Sequence, residues 1–236
     1  MTIPATAGQK TVLRLLQGTA SDYDRIVDES TMGWDLRWKQ WMLDRMHEPQ
    51  SVLDLACGTG ILTYLVHQQY PGTRVTGVDL QADYLEVARS RAVEFGLEQS
   101  VQFVHSAVED FTRVEGAFDH IISSYLPKYA DLPVLVRNLK RWSAPGARVL
   151  LHDFTHPTDP EVERVVQRHH ERWLTRAFVR RPHWIPCFEG LYDVVRISTW
   201  DTDLAELLKT AGFDDVEVTA LDYGCAAVVT ATAPAV

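Results

Sequence analysis

The sequence predicts an α/β fold, a mostly parallel sheet with helices on both faces. Three observations carry that expectation. Short apolar runs alternate with helix-length segments between residues 51 and 153. The stretch V-L-D-L-A-C-G-T-G, residues 52–60, joins the first such strand to the first such helix through a glycine-rich turn. The next strand then ends in an acidic residue, Asp79. The chain has 236 residues, of which 46% are hydrophobic and 23% charged, which suits one large domain with a full core.

The elements follow in order. Residues 1–48 form a helical cap, because Trp34, Trp38 and Trp41 recur at i, i+4 and i+7 and share one helix face. Pro49 closes that segment. The start, M-T-I-P-A-T-A-G-Q-K, is polar and lacks the apolar core of a signal peptide, so it reads as a frayed tail. Ser51–Ala56 is the first strand. Ile61–Tyr70 is a helix with Leu62, Leu65 and Val66 inward, broken by Pro71-Gly72. Arg74–Asp79 is the second strand. Gln81–Phe95 is a helix with Leu85, Ala88, Ala92 and Phe95 inward, ended by Gly96. Val101–His105 and Phe118–Ser124 are the third and fourth strands. Leu132–Trp142 is helical, Pro145-Gly146 is a turn, and Ala147–Asp153 is a fifth, very apolar strand. Residues 155–199 break the rhythm with Pro157, Pro160, Pro182 and Pro186 and a helical stretch over Glu161–Ala177. This insert is rich in His169, His170, Trp173, Phe178, His183, Trp184, Phe188 and Tyr192. It follows a strand's carboxyl end, where open α/β sheets bind ligands, and reads as a lid or substrate wall. Leu204–Ala211 is a helix ended by Gly212. Val216–Leu221 and Ala226–Thr230 are strands joined by the short turn Asp222–Cys225, so the last strand runs antiparallel.

The net charge of −9 argues against a dedicated nucleic-acid binder; Arg176, Arg180 and Arg181 read as a solvated helix end. Three cysteines without metal-ligand spacing (Cys57, Cys187 and Cys225) fit free thiols in a reducing cytoplasm. No apolar run is long enough for a membrane span.

The chemistry lies at strand ends. Gly58 and Gly60 allow a tight turn with close backbone approach to a ligand, and the helix that follows aims its N–H groups and positive dipole end there. Asp54, just before the turn, would repel a pyrophosphate and suits a ligand bearing positive charge. Asp79, 19 residues after Gly60, stands where α/β nucleotide sites accept hydrogen bonds from ribose hydroxyls. A nicotinamide dinucleotide fits less well: its third fingerprint glycine is Thr63 here, and it gives Asp54 no purpose.

D-L-A-C-G-T-G followed by V-D-L resembles the first two motifs of class I S-adenosylmethionine-dependent methyltransferases. Their pattern is acidic–x–Gly–x–Gly–x–Gly, with Ala56 replacing the first glycine here. The resemblance covers roughly residues 20–230. It implies a Rossmann-like sheet of seven strands with an antiparallel last strand, in one domain over 1–236, with the insert after strand five as lid. A narrower likeness is to the ubiquinone/menaquinone-biosynthesis C-methyltransferases. It rests on Tyr23-Asp24, D-L-R-W-K (35–39), L-L-H-D-F-T-H-P (150–157), A-G-F-x-x-V (211–216) and Y-G-C-A-A-V-V (223–229). Two segments depart from that family: Ser106-Ala107 replaces its Asp-Ala, and S-S-Y-L-P-K-Y (123–129) its Arg-Asn.

The resemblance implies S-adenosyl-L-methionine as cofactor, a small-molecule methyl acceptor, and no metal. It gives roles to particular residues. Asp54 and the backbone of Ala56, Cys57, Gly58 and Gly60 would take the methionine end. Asp79 would hold the ribose, Leu80 would pack on the adenine, and Ser106 and Ala107 would stand at its edge. Ser123 and Tyr125 would line the methyl-transfer side, and Tyr23 and Trp38 would close over the cofactor. His152 and Asp153 are candidate bases beside the methyl, and His156, His169, His170 and His183 are further histidines suited to proton removal. Proximity alone serves many methyl transfers, so a base is not required. The acceptor reading is C-methylation of a quinol or phenol ring. O- or N-methylation of a natural product, and cofactor binding without transfer, stay open. A nucleic-acid acceptor is disfavoured, and the oligomeric state is undetermined.

Overall fold

The computed structural model describes residues 6–112 and 115–235. Seven strands form one sheet: β1 (Ser51–Leu55), β2 (Arg74–Asp79), β3 (Val101–His105), β4 (Phe118–Ser124), β5 (Ser143–Phe154), β6 (Asp214–Leu221) and β7 (Ala226–Thr232). Their spatial order is β3-β2-β1-β4-β5-β7-β6. All neighbours are parallel except β7, which runs against both β5 and β6. The strand order, which runs outward from β1 to β3 on one side, switches to the other side at β4, so the carboxyl ends of the parallel strands β1 and β4 open a crevice.

Nine helices lie among the described residues: α1 (Ala7–Leu16), α2 (Tyr23–Ser30), α3 (Trp34–Leu43), α4 (Ile61–Gln69), α5 (Ala82–Glu94), α6 (Leu132–Trp142), α7 (Pro160–Arg180), α8 (Ile185–Ile197) and α9 (Trp200–Thr210). One sheet face packs on α6 and α9 through Leu135, Leu139, Trp142, Leu204 and Leu208. The other packs on α3 and α4 through Met42, Leu43, Leu62 and Val66. A third cluster (Ile26, Trp173, Ala177, Trp184, Cys187 and Phe188) joins the N-terminal cap to the insert. Gly190 on α8 lets α1 approach closely; a Cβ there would lie 2.6 Å from the Leu15 side chain.

Several local expectations need correction. Residues 7–10 are the first turn of α1, not a frayed tail, because Thr6 and Gln9 form a reciprocal capping box. Residues 1–5 of that predicted tail lie outside the described residues. Phe95 is 58% exposed, standing at the C-cap of α5 where the helix leaves the sheet. Pro145-Gly146 lies inside β5 at a register shift between Phe118 and His120, with Gly146 at φ 74°, so it kinks the strand instead of preceding it. The insert holds two helices, with Pro160 and Pro186 in the first turns of α7 and α8, where a missing N–H costs nothing.

Candidate functional site

The glycine turn follows β1. The Gly58 N–H donates to Asp79 Oδ2 at 2.8 Å, and the Gln81 N–H donates to Asp79 Oδ1 at 2.8 Å. One carboxylate thus ties the turn after β1 to the helix after β2. Burial pushes the Asp79 carboxyl up to about 6 against those two hydrogen bonds. Gly60 caps α4 at φ 85°, and a Cβ there would lie 2.8 Å from the Tyr64 ring. Ala56 also adopts a positive φ, 54°. Replacing the family's glycine therefore costs backbone strain as well as freedom.

Asp54 is buried at the end of β1, where its Oδ2 accepts from Thr63 Oγ1 at 2.6 Å. Burial pushes its carboxyl up to about 7, opposed by the Thr63 bond and by Lys39. A cavity of about 400 Å³ lies over it, lined by Asp24, Asp28, Asp35, Lys39, Asp54 and the turn residues Ala56 to Thr59. Asp35 and Lys39 form a buried ion pair one helical turn apart on α3. Thr59 Oγ1 donates to Asp24 Oδ1 at 2.5 Å, so α2 is tied to the turn.

A second cavity continues from the first past Tyr23, Ala56, Gly58 and Tyr125, and reaches Asp79, Leu80, Tyr84 and Ala107. Tyr23 meets Tyr84 edge-on at 5.0 Å and stacks near Trp184 at 6.1 Å. The Tyr84 hydroxyl pairs with Thr19 Oγ1 at 2.6 Å. The Tyr125 hydroxyl donates to Asp35 Oδ1 at 2.7 Å, and its ring stacks on Phe154 at 4.7 Å. Burial, reinforced by Asp35, holds that phenol protonated.

A third cavity of about 570 Å³ adjoins the second at Ser30, Thr31, Phe154, Phe188 and Leu191. Trp34, Trp38, Trp173 and Tyr192 form aromatic parts of its wall, and His169 and His170 its titratable rings. The Trp38 indole donates to Asp222 in the β6–β7 turn, which anchors α3 to the terminal hairpin.

Of the residues singled out in the sequence, the structure groups Tyr23, Asp54, Ala56, Cys57, Gly58, Asp79, Leu80, Ala107 and Tyr125 around the first two cavities. Trp38 lines the third instead. Gly60, His156 and His183 line none of the three, and neither do Ser106, Ser123, His152 and Asp153. Ser106 turns its hydroxyl to the Ala107 carbonyl at 2.9 Å. Ser123 is buried inside the sheet, bonded to the Leu55 carbonyl at 2.6 Å, and its neighbour Ser124 faces the cavities. His152 is fully buried beneath Trp38 and Tyr125, each ring 5.2 Å away. Its Nδ1 pairs with Ser124 Oγ at 2.9 Å, its Nε2 has no partner, and burial holds the ring neutral. Asp153 is buried in an ion pair with Lys128 Nζ at 2.5 Å. Neither reaches the cavities as a free base: alternation along β5 sends the two side chains to opposite sheet faces, and each meets its own buried partner there.

Asp28, Lys39, Tyr84, Ser124 and Lys128 were not identified from sequence. Asp35 and Lys39 carried one legible signal, an i,i+4 opposite-charge pair on a helix otherwise rich in tryptophan.

A carboxylate-rich cavity that continues past the glycine turn to Asp79 fits S-adenosylmethionine. Asp79 keeps lone pairs beyond its two backbone bonds, and the first cavity combines four carboxylates with the cations of Arg25 and Lys39, suited to an amino-acid zwitterion.

Comparison with known proteins agrees. Residues 5–233 match the ubiE/COQ5 methyltransferase family. A 2-phytyl-1,4-naphtoquinone methyltransferase of Thermosynechococcus vestitus is 28% identical over 207 residues, covering 86% of this chain and 90% of its own. The ubiquinone/menaquinone biosynthesis C-methyltransferase UbiE of Hahella chejuensis is 29% identical, covering 69% of this chain and 67% of its own. Among solved structures, phosphoethanolamine N-methyltransferase 2 of Haemonchus contortus with S-adenosyl-L-methionine shares the fold. Its TM-score is 0.68 at 16% identity, covering 98% of this chain and 60% of that one. The fold and site are thus those of an S-adenosyl-L-methionine-dependent methyltransferase that acts on a small molecule. The chain belongs to the ubiE/COQ5 methyltransferase family.

Proposed function

We propose that this enzyme methylates a ring carbon of a quinol seated in the apolar cavity between the cap, α7 and α8. The observation that carries this reading is the cavity itself: about 570 Å³, walled largely by aromatic and aliphatic side chains, and continuous with the cofactor cavities at Phe154 and Leu191. Such a chamber suits a flat, apolar acceptor better than a charged one. The naphthoquinone and menaquinone substrates in the relatives' names support the same class.

In this reading Asp79 accepts from the ribose hydroxyls and Leu80 packs on the adenine beside Ala107. Asp54 and its neighbouring carboxylates take the amino group, and Lys39 takes the carboxylate. The bound cofactor supplies an electrophilic methyl on a sulfonium. Phe154, on which Tyr125 stacks, lines both the second cavity and the acceptor cavity and forms the wall between them. The cap and the 155–199 insert act together as a cover that excludes water. His170 lines the acceptor cavity, stacked on Tyr192 at 5.0 Å, and burial lowers its pKa, so the neutral ring is ready to accept a proton from an acceptor hydroxyl. Loss of that proton makes the ring carbon beside the hydroxyl more nucleophilic.

The test is incubation of the purified chain with isotopically labelled S-adenosylmethionine and separate quinols, phenols and amines. Mass spectrometry and NMR then locate the methyl. Transfer to a quinol ring carbon is expected. Transfer only to oxygen or nitrogen would overturn the C-methyltransferase reading, and no transfer to any quinol would overturn the acceptor class.

A further inference from the structure

The mouth of the acceptor cavity is apolar and open, and a basic helix face flanks it. Met32, Val165 and Tyr223 line that cavity while remaining 61%, 63% and 80% exposed. They come from three separate segments: the α2–α3 turn, α7 and the β6–β7 turn. Exposure of this much large apolar surface around one opening is costly in water and marks a contact surface.

The charge beside it is equally ordered. On α7, Arg164, Arg168, Arg172, Arg176 and Arg180 recur at every fourth residue, and all five are exposed. That spacing lays them along one slowly winding face. Val165 and the exposed Val179 are interleaved with them. Among the described residues, only Arg164 of the five is paired with a carboxylate, Glu161 at 3.7 Å across an exposed gap. Arg176 lies over the Trp173 ring at 4.8 Å. Glu161, Glu163 and Glu171 share the helix, with Glu163 facing His156 and Glu171 bonded to Gln167, yet cations outnumber anions on α7. This stands out in a chain whose net charge is −9.

We propose that the arginine face of α7 and the apolar rim of the acceptor cavity together dock on an anionic lipid bilayer surface. The arginines meet lipid phosphates while Met32, Val165 and Tyr223 enter the interface, so the cavity mouth opens toward the acyl region. Interleaving of cations with aliphatic side chains, and continuity with an apolar chamber, favour a lipid surface over a nucleic acid, which offers no apolar phase. The surface itself stands on exposure and charge. Delivery of an apolar-tailed acceptor through it rests on the quinol reading above.

Co-sedimentation of the full chain with lipid vesicles tests the proposal. Binding is expected to vesicles of phosphatidylcholine mixed with phosphatidylglycerol, and little to phosphatidylcholine alone. Binding should fall steeply with added salt as screening shortens from about 10 Å at 0.1 M to about 3 Å at 1 M. The triple variant R164Q/R168Q/R172Q should lose on the order of a hundredfold in partitioning, from a contribution of several-fold per cation. Its turnover of a short-chain, water-soluble acceptor should stay unchanged, which separates loss of docking from misfolding. Equal affinity for neutral and anionic vesicles, no binding to either, or an unaltered triple variant would overturn the proposal. So would binding to duplex RNA without binding to anionic vesicles. If vesicles bind as expected but no quinol is methylated, the substrate reading fails and the docking surface stands.

Discussion

The Asp79 carboxylate accepts a hydrogen bond from the Gly58 N–H at 2.8 Å, so the acidic end of β2 holds the glycine turn that follows β1 in place. Two features that are 21 residues apart in sequence therefore act as one preformed wall of the proposed cofactor cavity. Replacing Asp79 with alanine removes the proposed ribose acceptor and frees the Gly58 N–H. Cofactor affinity should weaken by about 1–3 kcal/mol, the range for a lost charge-assisted hydrogen bond. Titration calorimetry measures it, and unchanged affinity would remove Asp79 from the site.

The two site carboxylates also make binding pH-dependent. Burial raises Asp79 to about 6 and Asp54 to about 7, against an ordinary value of 3.8. Between the ordinary and raised values the folded apo chain holds more protons than the unfolded chain. Its stability is therefore fullest in acid and declines as pH rises through that window. A cationic cofactor favours the ionised carboxylates. Affinity should rise between about pH 6 and about pH 7, with protons released on binding. Calorimetry in buffers of different ionisation heat counts those protons, and Asp54→Asn should flatten the upper part of the profile. Proton uptake would contradict the assignment.

Lys128 and Asp153 form an ion pair with both side chains almost fully buried. Burial lowers the Lys128 pKa and raises that of Asp153, as expected for charges taken from water and compensated chiefly by each other. Lys128→Met should cost about 3–5 kcal/mol by stranding a buried carboxylate. The double variant K128M/D153L should recover much of that loss. Urea unfolding distinguishes them; a double variant no more stable than Lys128→Met would mean the pair is not the source of the cost.

Ala56 sits at φ 54°, in the left-handed region. Relief of that strain is worth about 1–2 kcal/mol, and the added freedom of glycine in the unfolded chain costs about 0.4–1 kcal/mol. Ala56→Gly should therefore raise stability by roughly 0.5–1 kcal/mol, while Ala56→Val should lower it. Thermal unfolding of the apo chain would show both, and a destabilised glycine variant would count against strain at this position.

The sequence by itself determined what depends on near neighbours along the chain. The alternation of strand and helix, the turn glycines, Asp54, Asp79 and the reversed last strand all follow from local periodicity and spacing, and the cofactor follows from the resemblance that the motif residues carry. The tertiary structure decided the rest. The proposed acceptor cavity draws its wall from residues 30–38, 154–195 and 223–225, segments whose proximity no local pattern encodes. His152 and Asp153 look like free bases in the sequence, yet folding buries the first under Trp38 and Tyr125 and gives the second to Lys128. The second helix of the insert, α8, was hidden by Pro182 and Pro186, which read as breakers until their place before and within its first turn is known. Charge state and access are set by burial and by long-range partners, and those exist only once the chain has folded.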